Sequence, residues 1–592
     1  MGDLPVPGGD PNSWGTKLNE FLTDIPVTSI TGALGVAPEL QGMPLVLTKN
    51  YQRSLSRFDS FAAAVDDLPD GGANGGEIIV DSDWAITGAN TVPAGVSVIG
   101  RGETVTRITV PESSAFTAFD VDGGDHVGFH GFTLEAENDG VTGGSGRGIR
   151  LRGEIDRVDL DQITVRGFGQ PIEAEGSQGT TPGTIRALYA QSCRALESPT
   201  SWGWGFGDVE LVWLTACEGH DNWFDGFKFR KKVSNVVVTG GAGLRNGRSR
   251  NPAFGNDTNL NGDGIDFYAG ADSVTIMGFA AEENWGSGLQ IKSIPSDGVS
   301  VADFGYVRKL RLLGVVARRN QVIAGLTMSH AAGMPLVDDL EIIGGDYSDN
   351  TSSINGYGIG LQIEARNARI MGASANRNYS EGLYVNSKSF DVLIEGLNAR
   401  ANGQRSAGAY PGVSIAGDNV RLMSGTIVGV DDPAIEGTSD ESSLTVYHSA
   451  AVIVRPEASN VVIGSGVLAR YYTGSVPFVV NSGAADVVIE AQQVAANPSA
   501  FGSRGSTALR TNSTDPYSQR WVRLGDIDPS TQNGNWYRYM QLPPVTALPT
   551  AGASYAGQLM YLKPDNATAG TLHVCRETAS AGTYEWKQVD VV

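Results

Sequence analysis

Three aspartates stand where carboxylates could act as a pair. Asp263 and Asp266 flank Gly264 and Ile265 in NGDGIDF (Asn261 to Phe267), and Asp225 holds the position of Asp263 in the related phrase NWFDGFKF (Asn222 to Phe229). A carboxylic acid that protonates a leaving oxygen, set against a carboxylate that activates water or attacks carbon, is the chemistry of glycosidic cleavage and needs separations of ~5 to 9.5 Å. Crowded like charges push one such group toward the protonated state the donor role requires. Turn capping is the competing explanation for Asp225 and Asp263, since Asp does this commonly. Beside them stand Trp223, Trp285 and Tyr268, preceded by Trp202 and Trp204 in SWGWGFG; aromatic faces stack on the apolar sides of sugar rings. Lys228, Arg230 and Lys292 bring positive charge to the same segment. A lyase would use these groups differently, with cations neutralising a uronate carboxylate while Lys, Arg or Tyr268 removes the adjacent proton. His220, in EGHDNW, reads as a loop histidine with its own partners.

The elements that must position these side chains announce themselves as a repeat. An Asn, a short turn, a Gly and an apolar-x-apolar strand recur in NWFDGFKF, NGDGIDF, NWGSGLQI (Asn284 to Ile291), NQVIAGLTM (Asn320 to Met328), NGYGIGLQI (Asn355 to Ile363) and NYSEGLYV (Asn378 to Val385). Steps of about 22 to 39 residues belong to stacked units too small to bury a hydrophobic face alone. Further apolar runs lie between the copies, among them SNVVVTG, DSVTIMG, VRKLRLLG, VDDLEIIGG, ARIMGA and FDVLIEG. Two or three strands per repeat predict an all-β chain wound as a three-sided, right-handed parallel β-helix, against the alternative of a β-sandwich with hairpins at regular spacing. Gly supplies the left-handed or bulged backbone of the corners, and Asn can adopt the same region or ladder its amide from rung to rung. Side-chain alternation then places Lys228, Asp266, Gln290, Thr327, Gln362 and Tyr384 in one outward column, and Arg230, Tyr268, Lys292, Ser329, Glu364 and Asn386 in the next. With rungs ~4.8 Å apart, such columns form a bed for a linear glycan, with Glu364 too far from Asp266 to pair with it.

Composition narrows the classes. The chain has 592 residues and a formal net charge of -22, which argues against nucleic acid as a partner. One segment reverses the sign: Gly226 to Asn256 lacks Asp and Glu but holds Lys228, Arg230, Lys231, Lys232, Arg245, Arg248 and Arg250, either as a solvated loop or for recognition of acidic sugar groups. Cys193, Cys217 and Cys575 have no metal-binding spacing and are too few for a disulfide framework, so no metal or cofactor is expected. The first residues, MGDLPVPGGDPNSWG, contain neither a basic region nor an apolar run, and no 18 apolar residues follow one another, so neither a secretory signal nor membrane insertion is expected.

Before the repeats comes an ordered series: helical spacing in FDSFAAAVDDL (Phe58 to Leu68), then GGEIIV (Gly75 to Val80), VPAGVSVIGRG (Val92 to Gly102) and TRITV (Thr106 to Val110). The helix would close the open end of the solenoid. This order resembles the opening of pectate-lyase-superfamily β-helices, especially those of bacteriophage tailspikes, over about residues 55 to 490. WGTKLN (Trp14 to Asn19), beside a possible short helix over Trp14 to Leu22, looks like N-terminal segments of phage tail fibres. Leu548 to Val589 looks like a compact β-module of tail-protein C-termini. The resemblance implies an attachment segment for a phage tail or baseplate over 1–54, a polysaccharide-binding and catalytic β-helix over 55–499, and a trimerisation or receptor-contact module over 500–592. It further implies a homotrimer on the virion that acts on a bacterial surface polysaccharide, capsule or O-antigen. Two Asp three apart on one rung, joined by a carboxylate from a nearby rung, are similar to the arrangement in tailspike endoglycosidases, which points to Asp225, Asp263 and Asp266. NGDGID also resembles the NxDGxD element of polygalacturonases, but the second Asp pair, GHG and RIK of that family do not follow. Trp285 and Gly286 stand where that pair is expected. Sugar contacts are expected from Trp223, Lys228, Arg230, Tyr268, Trp285, Gln290, Lys292, Gln362, Glu364 and Tyr384.

Overall fold

The computed structural model describes residues 51–495 apart from 112–114, 138–145, 178–181, 248–261, 269, 294–306, 331–336, 352–356, 407–408, 430–448, 472–477 and 491, together with isolated strands between 505 and 588. The expected Trp14–Leu22 helix, WGTKLN, Arg248, Arg250 and Asn261 lie outside the described residues.

The chain is a parallel β-helix. One face stacks Phe227–Arg230, Ile265–Tyr268, Leu289–Ser293, Ala324–His330, Ile359–Ile363 and Leu383–Val385, each paired in parallel with the next. A second face stacks Val233–Thr239, Ala271–Met277, Arg308–Leu313, Val337–Ile343 and Ala365–Met371 in the same way. Shorter strands such as Glu218–His220, Ala242–Leu244 and Ala280–Glu282 make the third. Parallel rungs rather than hairpins exclude the sandwich. Beyond the coil, Leu559–Leu562, Thr571–Glu577 and Tyr584–Gln588 form an antiparallel meander.

Alternation builds the core. Phe206, Phe229 and Phe267 occupy the same inward position on successive rungs and stack with centroids 4.7 and 4.5 Å apart. Trp204 is inside as well, stacked on Phe227 with its indole N–H donated to the Glu218 carbonyl, so its expected place among sugar-facing rings is corrected: a period of two puts it on the inner side. Cys193 and Cys217 are free, buried and one rung apart.

At the N-terminal end, α1 (Phe61–Asp66) is shorter than its apolar spacing predicts. The Ser60 hydroxyl accepts from the Ala63 N–H at its start. Phe61, Ala64 and Val65 are buried, with Phe61 against Trp84 and Phe119. The expected strands follow at Gly76–Ile79, Val96–Ile99 and Arg107–Val110.

Glycine serves two purposes, only one of which was expected. After the second-face strands Gly278 adopts φ +59, a left-handed corner. The repeat glycines before the first-face strands lack positive φ; at Gly264 a Cβ would sit 2.6 Å from the Gly288 carbonyl oxygen and 3.0 Å from the Asn284 amide, so the constraint is room between rungs. The asparagines do ladder. Asn222, Asn246, Asn284, Asn320, Asn350, Asn378 and Asn402 are fully buried; Asn222 Oδ1 accepts from the Ser198 backbone N–H, and from Asn246 onward each accepts at Oδ1 from the backbone N–H and the amide of the preceding member. On those two rungs the ladder members are Asn246 and Asn350; Asn261 and Asn355, to which the repeat pointed, lie outside the described residues. Insertions between ladder Asn and repeat Gly displaced the apparent motif.

Candidate active site

The aspartates sit three residues along the chain from the ladder. Asp225 and Asp263 occupy equivalent places on neighbouring rungs, and each accepts at Oδ1 from a backbone N–H of the following rung: Asp225 from Asp263 at 3.0 Å, Asp263 from Ser287 at 2.5 Å. Asp266 lies on the strand beyond Asp263, directly across from Lys228 on one side and Gln290 on the other. One oxygen from each of the three carboxylates lies within 4.8 Å of the other two. Capping and convergence are therefore both true of Asp225 and Asp263.

Positive charge comes from neighbouring rungs. Lys228 Nζ contacts Asp266 and is 3.2 Å from Asp225 Oδ2, and Lys292 Nζ donates to Asp266 Oδ2 at 3.2 Å. The Tyr268 ring lies between these lysines, its centroid 4.7 Å from Lys228 Nζ and 5.5 Å from Lys292 Nζ. Three carboxylates so close could also hold a cation, but here two ammonium groups supply the compensating charge.

All three aspartates have zero exposure. Burial raises the Asp225 carboxyl to about 6, opposed by Lys228 and reinforced by Asp266. Asp263 is raised well above the usual carboxylate range by burial and then by the charge of Asp225, which favours its protonated form. Burial alone would lower Lys228, but Asp225 and Asp266 outweigh it and keep it an ammonium. Among the described residues four buried oxygens here lack a hydrogen-bond partner, Asp263 Oδ2, Asp266 Oδ1, Ser287 Oγ and Gln290 Oε1, and Asp225 Oδ2 has only its ion pair with Lys228. Buried polar atoms are ordinarily satisfied, so a concentration of orphans marks a place built for something else.

The two expected columns have the predicted register, from Lys228 through Asp266, Gln290, Thr327 and Gln362 to Tyr384, and from Arg230 through Tyr268 and Lys292 to Ser329. The open bed does not hold: Asp266, Gln290, Lys292, Thr327 and Glu364 are buried. Being outside the coil is not being in solvent. Gln362 accepts from Thr327 at 3.2 Å and Glu364 pairs with Lys388 at 3.5 Å.

Most of the basic segment is spent internally. Arg230 bonds Glu175 at 2.8 Å and lies over the Trp202 ring at 4.6 Å, Lys231 also pairs with Glu175, and Arg245 pairs with Asp221 at 2.9 Å. Sequence reasoning missed Glu173 and Glu175, which continue the same face two strands before Phe227–Arg230, on Gln170–Glu175 beyond Trp204–Gly207. Extending the outward column past Gly205 would have reached Glu173. Trp223 and Trp285 are half-buried, each one residue after a ladder Asn. His220 is on the third face, 3.5 Å from Glu218.

No protein-family model and no curated protein matches the chain. Among solved structures it is similar to the A-module of mannuronan C-5 epimerase AlgE4 of Azotobacter vinelandii, at 14% identity over 72% of this chain and 97% of that one, TM-score 0.39. The Dettilon tailspike protein aligns at 12% identity over 80% of this chain and 76% of that one, TM-score 0.40. The catalytic domain of a GH87 alpha-1,3-glucanase in complex with nigerose aligns at 13% identity over 60% and 65%, TM-score 0.41.

Proposed function

We propose that the chain is a tailspike depolymerase that cleaves a bacterial surface polysaccharide, capsule or O-antigen, by hydrolysis. The observation that carries the catalytic part is the convergence of three buried carboxylates in unequal surroundings: Asp263 raised well above the usual range by burial and Asp225, Asp225 raised to about 6, and Asp266 paired with two lysines. Separated protonation states within one cluster are what an acid and its partner need.

In this reading Asp263 donates its proton to the leaving oxygen. Asp225, ionised above pH about 6, attacks the anomeric carbon or takes a proton from water. The spacing of at most 4.8 Å is nearer the ~5 Å of retaining enzymes than the gap that admits a water, which favours attack by Asp225 itself. Asp266 positions Lys228 and Lys292, and Tyr268 lies between those ammoniums. Trp223, Trp285, Arg230, Gln290, Gln362, Glu364 and Tyr384 hold sugar along the face. Because the carboxylates have no exposure, turnover requires that the face be uncovered around them.

The tailspike part rests on the opening motifs from Phe58 to Val110, with residues 1–54 as the attachment segment, 500–592 as the trimerising or receptor-contact module, and the virion tail as the location. Mass spectrometry of products from a panel of capsules and O-antigens tests the chemistry. Oligosaccharides carrying added water, lost in Asp225→Asn and Asp263→Asn, support it. Products lacking that water move the assignment to a lyase using Lys228 and Tyr268. A second reading, a receptor-binding spike without turnover, is favoured by the complete burial and lysine neutralisation of the cluster; a bound but uncleaved glycan would establish it.

A further inference from the structure

On the same face, four rungs from Asp266 along the register through Gln290, Thr327 and Gln362, Tyr384 lines a cavity of about 420 Å³. At the rung spacing this is ~19 Å from the aspartates, too far for any of its groups to touch a bond being broken there. We propose that this cavity is a second glycan site that selects a sugar bearing a carboxylate.

Its lining is suited to one sugar unit. Tyr357, Tyr384 and Tyr410 present three phenol rings to the cavity, and Tyr357 is 66% exposed, an unusual amount of aromatic surface to leave in water. Its volume falls in the range of small-molecule sites. Two arginines serve it differently. Arg455 is already committed: its Nε donates to the Ser414 hydroxyl at 2.8 Å and its guanidinium pairs with Glu381 at 3.4 Å. Arg405 has no carboxylate partner among the described residues; its guanidinium reaches the Tyr410 hydroxyl at 3.4 Å and rests 5.8 Å from the Tyr379 ring centroid. A planar fork steadied by two phenol groups and left without an anion is a ready receptor for a carboxylate, which it binds bidentately. Glu381 and Glu457, which also line the cavity, are acceptors for the hydroxyls of the same ring.

This changes where acidic-sugar recognition belongs. The basic stretch from Gly226 to Asn256 suggested it, yet Lys228, Arg230, Lys231 and Arg245 are paired with carboxylates of the chain itself. In this cavity, a cation with no carboxylate partner among the described residues is instead carried by the turn before Tyr410. The inference deepens the proposed function by giving its polymer an acidic residue held away from the cleavage point.

The test is calorimetric titration of the full chain with an oligogalacturonide and with a maltooligosaccharide of equal length. The parent should bind the oligogalacturonide, more weakly as salt is raised. Arg405→Ala should weaken that binding at least tenfold, and Arg405→Lys, which keeps charge but not the fork, should lie between them. Arg377→Ala, which removes a partly exposed pair with Asp349 away from both sites, should bind as the parent does. Equal affinity of parent and Arg405→Ala, a preference for the neutral probe, or no binding of the acidic one overturns the proposal. Those results leave hydrolysis at the aspartates standing, just as unimpaired turnover in Asp263→Asn would remove the active-site reading and leave the cavity standing.

Discussion

Asn222 and Asp225 stand three residues apart on one rung, and each side-chain oxygen secures the backbone of a neighbouring rung, yet one column is saturated and the other is not. Asn246 shows the saturated form: its Oδ1 accepts twice from Asn222, and its amide donates to Gly219 and Asn284. Asp225 and Asp263 use one oxygen in the same kind of cap and leave the other without a hydrogen bond. An amide has donors to give back to the next rung, whereas a carboxylate has none. Replacing Asn by Asp in a solenoid cap therefore keeps the turn and creates an acid that must find either a cation or a proton. Lys228 serves Asp225 and Asp266; burial and the charge of Asp225 push Asp263 toward its protonated form.

The sharpest way to break this comparison is to turn the acid column into the amide column. Asp263→Asn keeps an oxygen for the Ser287 N–H and removes the proton donor, so turnover should fall by about 10²- to 10⁴-fold while the melting temperature holds or rises. Equal losses of turnover and folding would mean that the two columns do the same structural work. The reverse cut, Asn284→Ala, should cost about 3 to 5 kcal/mol in unfolding titrations, because it strands buried groups on both adjacent rungs at roughly 1 to 3 kcal/mol each.

Next in size is a pH effect confined to the acid column. With its folded value raised from 3.8 to about 6, Asp225 binds its proton more tightly in the folded state. Its contribution favours folding at pH below about 4 and is lost as pH rises through about 6, at most about 3 kcal/mol. Asp263, raised in the same direction, adds to that loss. Asp225→Asn should therefore stabilise the protein at pH 7, match the parent near pH 4, and flatten the melting profile between them. In the active parent kcat/KM should climb as Asp225 ionises near pH 6 and fall where Asp263 loses its proton. Smallest is a control on the third-face corner, where Arg377 and Asp349 pair at 2.7 Å in partial exposure. Arg377→Ala should change stability by less than about 1 kcal/mol.

Much of the architecture could be read from particular residues. The Gly-apolar-x-apolar phrase gave Phe229 over Phe267 inside and Lys228 beside Asp266 outside, since alternation and parallel pairing leave no other register. The phrase misled where insertions intervened: Asn261 and Asn355 imitate the ladder position that Asn246 and Asn350 occupy. Trp204 looked like a surface ring because aromatic residues near glycines invite that reading, while its parity assigned it to the core. The C-terminal cavity was not legible, because Arg405, Tyr410 and Arg455 meet Tyr384 only through coils stacked above it.

By itself the sequence determined a solenoid, its rung register and the aspartates that share a face, because these follow from a period of two within each strand and a repeated corner between strands. Tertiary structure alone decided which charges those aspartates meet, that the outward face is buried around them, and that Arg405 faces the cavity with no carboxylate partner among the described residues. The physical reason is that burial and pairing are set by partners on other rungs, 38 residues away for Lys228 and Asp266 and 74 for Arg455 and Glu381, distances at which no local pattern constrains the match.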